Sequence, residues 1–226
     1  MFGKVKESEQ HLNINWKHFY LSVLALVIPM ALQNLINVGV TAADVVMLGK
    51  VGEHALSGAS LAGQVQYIMT LFLFGLTSGA TVLTAQYWGK KDICTIEKIL
   101  GLGMRSAVIV TAVFFVAAQC IPHTLMKIFT SDPEVIEQGV VYLRIVSWSY
   151  IFMGITQTYL YIMRSVERVV VATVVYLCSL ICNVGINAVL IFGLFGMPAL
   201  GVKGAAIGTL TARLLEMALV CLYSHF

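Results

Sequence analysis

Asp44 is a carboxylate set in a long apolar run, Phe19–Leu48. At the centre of a bilayer such a group costs at least ~2.5 kcal/mol on insertion scales, so it usually faces a partner or a water-filled cavity. At the helical step of about 100° per residue, Gln33, Asn37, Thr41 and Asp44 fall within about 80° of one another and form one polar stripe. The stripe is expected to look into the protein interior. Two roles fit Asp44: a group that titrates or holds a cation in a cavity, or a cap near Gly49 that meets water at the helix end. Pro29 precedes the stripe and removes one backbone hydrogen bond, which predicts a kink or hinge in the same helix.

A second polar pair, Asn183 and Asn187, stands one helical turn apart, with Ser179 extending the face. Counting the rise of ~1.5 Å per residue, Asp44 and Asn187 reach the same half of a membrane and could share one site. The alternative is that the asparagines only join helices. Tyr150, Gly154, Gln157 and Tyr161 share a further face, suited to a ligand or to packing. Arg213 and Glu216 are spaced to pair with each other, and Arg144 is placed to snorkel; none of these three is assigned a role in transport.

Enzyme chemistry finds little support. No His-Glu-x-x-His occurs, Gly58-Ala59-Ser60-Leu61-Ala62 lacks the last glycine of a nucleophile elbow, and neither a phosphate loop nor a dinucleotide fingerprint is present. The chain is therefore expected not to be an enzyme and to use no cofactor beyond a coupling ion. One carboxylate among amides and hydroxyls suits H⁺ or Na⁺, and Asp44, Asn183 and Asn187 are the residues that could hold Na⁺. The five cysteines show no ligand spacing and read as small packing residues. A net charge of +3 spread among loops gives no tract for nucleic-acid phosphates.

The elements that must position these groups follow from composition. Of 226 residues 59% are hydrophobic and 11% charged, where a soluble domain carries roughly a quarter charged residues. With a mean hydropathy of +0.88, the chain cannot clothe a water-soluble surface. Six apolar segments can be drawn: Phe19–Leu48, Leu56–Tyr87, Ile99–Ile121, Val135–Met163, Val169–Phe195 and Val202–Tyr223. Hydrocarbon requires each backbone amide to bond within its segment or a closed barrel, and the lack of period-2 alternation excludes the barrel. An all-α integral membrane protein of six transmembrane helices is expected, with residues 1–18 as a cytoplasmic segment and 19–226 as one membrane lobe.

Gly75-x-x-x-Gly79 and Gly204-x-x-x-Gly208 have the spacing that lets helices approach closely. Alternate connectors differ in charge, with Lys4, Lys6, Lys17, Lys90, Lys91, Lys98, Arg105, Arg164 and Arg168 on one side and Lys50, Lys127 and Lys203 on the other. The positive-inside rule then places a multi-pass protein in the cell membrane with both termini cytoplasmic. No cleavable leader is expected at the start.

Several motifs fit one ordered pattern: Pro29 with Gln33 and Asp44, Gly49-x-x-Gly52-x-x-Ala55-Leu56, Thr84-Ala85-Gln86-Tyr87-Trp88-Gly89, Tyr142-Leu143-Arg144 and Met163-Arg164-Ser165. It continues with Asn183-x-x-x-Asn187-x-x-Leu190-Ile191-Phe192-Gly193 and Gly201-Val202-Lys203-Gly204-Ala205-Ala206. Over nearly the whole chain this resembles the multidrug and toxic compound extrusion (MATE) family. The resemblance implies a V-shaped transporter of twelve helices in two lobes that exchanges protons or sodium for organic cations or amphiphiles. This chain looks like the amino-terminal lobe, with the second lobe missing. By the same resemblance Asp44 matches the first-helix acid, Pro29 the proline where that helix bends, and Asn183 and Asn187 the fifth-helix polar pair.

Two departures stand out. Asn187 replaces an aspartate found in one branch of the family, so no two-carboxylate site is expected here. Val166-Glu167-Arg168 replaces the small and glycine residues that commonly follow Arg-Ser. The function expected is half of an antiporter exporting organic cations or drugs, with the cavity built from Gln33, Asn37, Thr41, Gln157, Asn183 and Asn187. Its partners would be the cargo, membrane lipids and the second lobe, with no nucleic acid. The alternatives are a flippase for lipid-linked oligosaccharides, which calls for a basic cavity where Lys and Arg look scarce, and a fragment that does not transport.

Overall fold

A computed structural model describes residues 16–225. The lysines at 4 and 6 and most of the expected segment 1–18 lie outside the described residues. Eight helices follow in order: α1 (Trp16–Gly49), α2 (Glu53–Gly89), α3 (Ile93–Cys120), α4 (Pro122–Lys127), α5 (Pro133–Val146), α6 (Ser149–Ser165), α7 (Val169–Phe192) and α8 (Val202–His225). Among the described residues there is no strand. Five of the helices are long and apolar enough to cross a membrane, and α5 with α6, taken together as one bent span, brings the number to six.

Helix limits follow local chemistry. Asp92 caps α3, its carboxylate accepting from the Thr95 amide (3.1 Å) and hydroxyl (2.6 Å). These bonds hold the Asp92 carboxyl below the ordinary carboxylate range. Asp132 caps α5 by accepting from the Glu134 and Val135 amides, with Pro133 at the first helical position, where its missing N–H is not needed. Gly193 ends α7 in the left-handed conformation, φ 70°.

The expectation of one continuous segment over Val135–Met163 is corrected: α5 and α6 meet at 57°. No proline or glycine stands at the break. Instead the Ser147 hydroxyl donates to the Arg144 carbonyl, the Ser149 hydroxyl to the Val146 carbonyl, and Gln119 from α3 donates to the Arg144 carbonyl (2.8 Å) and the Ser147 hydroxyl (2.8 Å). These side chains occupy carbonyls of the helical ladder, and a helix bends where its ladder is interrupted in this way.

α7 packs between α1 and α8; α2 packs on α3 and α5, and α3 on α6. One apolar core, centred on Met69, Leu73, Leu143, Tyr150 and Met153, joins α2, α3, α5 and α6. A second, with Tyr159, Leu160, Tyr176 and Ile36, joins α6, α7 and α1. The outward faces keep large apolar side chains exposed, as a lipid surround requires, among them Leu35 and Val38 on α1 and Ile109 and Val113 on α3. All five cysteines are free, and Cys94, Cys120 and Cys221 are exposed rather than packed.

Glycine spacing works in one pair and not in the other. A Cβ at Gly204 would stand 2.7 Å from the Leu190 carbonyl of α7, and one at Gly208 would fall onto the Asn187 side chain. Nothing lies within 4 Å of a Cβ placed at Gly75 or Gly79. The turn between α6 and α7 shows what the Glu167 departure costs: Glu167 sits at φ 65°, left-handed backbone that glycine adopts without strain.

Two outcomes follow for the purified chain in detergent. Gly204→Ala lowers stability by about 1–3 kcal/mol through backbone overlap, while Gly75→Ala leaves it unchanged, as read from thermal unfolding. Glu167→Gly raises the unfolding temperature, because it removes roughly 1–2 kcal/mol of left-handed strain and returns less than that in chain entropy.

Candidate functional site

α1, α7 and α8 place a polar group of side chains at the end of the helices where α1 closes. Asn187 on α7 is fully buried, and its Nδ2 donates both to Asp44 Oδ1 on α1 (2.6 Å) and to Asn183 Oδ1 one turn below (3.2 Å). Its own Oδ1 is buried with no hydrogen-bond partner. The absence of a Cβ at Gly208 is what admits this amide between α7 and α8. Tyr142 of α5 and Thr209 of α8 complete the wall, with Tyr142 in electrostatic reach of Asp44.

Asp44 opens on a cavity of about 600 Å³ between α1, α2, α6, α7 and α8. Asn37 and Thr41 line it from α1, Gln157 and Tyr161 from α6, and Ser179 and Asn183 from α7. The α1 stripe does not stay together. Gln33 is turned away from the cavity: it is buried, and its Nε2 donates to the Val169 carbonyl (3.0 Å) and the Thr173 hydroxyl (2.8 Å) of α7, so it ties two helices and does not line the cavity. The α6 face divides likewise, with Tyr150 fully buried in the apolar core and Gly154 pressed against Thr111 of α3. Pro29 lies within a continuous α1, away from the cavity wall.

Sequence reasoning missed part of the wall. Ser60, Gln64, Gln66 and Tyr67 of α2 contribute amides and hydroxyls. More consequential are Arg213 and Glu216 of α8, which were given no role. Arg213 Nη1 donates to both carboxylate oxygens of Glu216, at 2.7 and 2.9 Å, and both residues face the cavity, with the Glu216 side chain 1% exposed. Arg164 also lines the cavity, so the expectation that the interior is poor in basic groups is corrected. Arg144, by contrast, is exposed at the α5–α6 break.

Chemically, the arrangement offers two things. At Asp44 a carboxylate with one neutral amide donor keeps free lone pairs toward the cavity, where a proton or a cation can bind. At Arg213–Glu216 a bidentate pair cancels its own charge. Arg213→Leu strands a buried carboxylate and is expected to cost about 3–5 kcal/mol, whereas the double change Arg213→Leu with Glu216→Leu recovers most of that loss. Thermal unfolding of the single and double variants in detergent checks the pairing.

A family model described as MatE matches residues 29–189. The chain is 29% identical over 213 residues to the probable multidrug resistance protein NorM of Rhizobium meliloti (strain 1021), covering 92% of this chain and 44% of that protein. The multidrug resistance protein MdtK of Yersinia enterocolitica (serotype O:8 / biotype 1B) is 25% identical over 191 residues, covering 83% of this chain and 41% of its own length. Among solved structures, an outward-facing multidrug resistance MATE family transporter of the MOP superfamily superposes with a TM-score of 0.81 at 17% identity, over 90% of this chain and 44% of that one. A MATE structure in a bent conformation gives 0.79 at 18% identity, over 89% and 45%. The chain thus spans less than half the length of these relatives.

Proposed function

The chain belongs to the MatE family of multidrug efflux transporters, as a multi-pass membrane protein with the fold of the amino-terminal lobe, and from that premise we propose that it forms the ion-coupling half of an antiporter exporting organic compounds. A second six-helix lobe completes the cargo cavity. Asp44 is the coupling group, Asn37, Thr41, Gln157 and Asn183 face cargo, and Asn187 positions Asp44. Both termini face the cytoplasm, the side on which Lys90, Lys91 and Arg168 cluster.

The observation that carries this reading is the Asn187 amide held between Asp44 and Asn183 at the top of the cavity. Its two hydrogens already sit between the oxygens that a sodium ion would need, which favours H⁺ as the coupling ion. A proton taken up by Asp44 removes the charge that Nδ2 serves. α1 is then free to shift against α7, with the hydrogen bond missing at Pro29 as the point of least resistance. Cargo that meets Asp44 in its ionised state is released once the carboxylate is neutral.

The test is efflux of a cationic fluorescent dye from vesicles holding the chain joined to a second lobe. A proton gradient is expected to drive efflux and a sodium gradient to leave it unchanged. Asp44→Asn is expected to lower the gradient-driven rate at least to the level of empty vesicles. Efflux by Asp44→Asn at the unaltered rate would end the proposal.

A further inference from the structure

The charges on the cavity wall are distributed along its depth. Asp44 and Asn187 mark one level. The Arg213–Glu216 pair neutralises itself on α8. Arg164, in the last turn of α6, is the remaining charged residue of the wall and has no salt bridge among the described residues. Its guanidinium carbon lies 4.8 Å from the Tyr161 ring centre and 5.9 Å from that of Tyr176 on α7. Its Nε is buried with no hydrogen-bond partner. Tyr176 lies eleven residues before Asn187 on α7, so the guanidinium level is about 16 Å from the Asp44 level along the helix.

A guanidinium held between two aromatic rings is oriented, and its planar fork is built to receive a carboxylate through two parallel hydrogen bonds. Glu167, three residues on, is exposed at the turn and makes no salt bridge with it among the described residues, and the charged groups that share the cavity wall are engaged elsewhere. Glu216 is the acid in reach of the same Tyr176 ring, and both of its oxygens are taken by Arg213. Asp44 is engaged by Asn187 at the far end. The basic groups nearby, Arg213 and Arg168, are held by Glu216 and the Tyr223 hydroxyl, respectively. Within a low-dielectric wall an uncompensated guanidinium attracts an anion from whatever enters the cavity.

We propose that Arg164, with Tyr161 and Tyr176, forms a carboxylate subsite in the inner half of the cavity, so that cargo includes aromatic or amphiphilic molecules bearing an acid group. This rests on the cargo-cavity reading above and narrows it: the cavity is bipolar, with an acidic level at Asp44 and a basic level at Arg164. A purely cationic molecule uses only the first. A molecule with an acid group uses the second, with its ring system laid against the two tyrosines.

The experiment compares two xanthene dyes of the same cationic ring system, one carrying a free benzoic acid and the other its ethyl ester. Their binding to the purified chain joined to a second lobe, as in the efflux test, is followed by fluorescence polarisation in nanodiscs of phosphatidylcholine, where no anionic headgroup competes. The free acid is expected to bind about tenfold more tightly than the ester. Arg164→Gln is expected to erase that preference by weakening binding of the acid and not of the ester, and Arg164→Lys to restore part of it, since a point charge replaces the fork. Equal binding of acid and ester by the unaltered chain overturns the subsite and leaves the cargo-cavity reading intact, and this comparison needs no variant to fold. Binding of neither dye overturns both.

Discussion

Hydrocarbon supplies no hydrogen bonds, so each polar atom of a spanning helix must find its partner inside the protein. Here that constraint gathers side chains from different helices around one cavity and leaves the outer faces of α1 and α3 apolar. Asn187 is the clearest product of it. Fully buried, it joins α1 through Asp44 and its own helix through Asn183, and it fits only because Gly208 of α8 has no side chain. The close approach of α8 to α7 at Gly204 sets that geometry. The packing of α7 on α8 and the contact to the proposed coupling group therefore depend on the same residue. A change that spreads α7 from α8 also disturbs the bond that serves Asp44.

The second half of the fold obeys the same rule in another way. Gln119 and Ser147 satisfy each other and the Arg144 carbonyl, and the helix that loses those carbonyls turns by 57° into α6. The turn separates the two jobs of this span. α5 brings Tyr142 to the Asp44 level, while α6 carries Gln157, Tyr161 and Arg164 along the cavity. A straight helix could not serve both walls.

Much of this was legible in the sequence because hydropathy and composition respond to the bilayer itself. The spans, the α1 acid and the asparagine pair all announce themselves as exceptions to, or consequences of, an apolar surround. What was not legible depends on a neighbour. The α5–α6 bend is caused by a glutamine on α3, Gln33 shares the angular stripe of Asp44 but is captured by Thr173 and Val169 of α7, and Gly75 has the same spacing as Gly204 yet meets no helix. Arg164 was read as one more cytoplasmic-side charge, since its position near a helix end hides the aromatic rings that hold it over the cavity. Glu167 could be flagged as a departure, but only its φ of 65° gives the reason a glycine suits that turn.

The layout of charge bears on how such a lobe can couple an ion to cargo. A cavity with a single acid trades one cation for another, and occupancy of that acid decides release. Here the acid shares the wall with a self-neutralised pair in the middle and an unpaired guanidinium about 16 Å away along α7. Neutralising Asp44 leaves Arg164 as the only uncompensated charge on this wall among the described residues, so the wall passes from a balanced to a net positive charge. A cation loses its attraction, and an acid group keeps its hold at the opposite end. Under the proposed reading, the ionisation of Asp44 would select which kind of molecule leaves and which stays, with α1, the helix that carries it, as the part that would move in response.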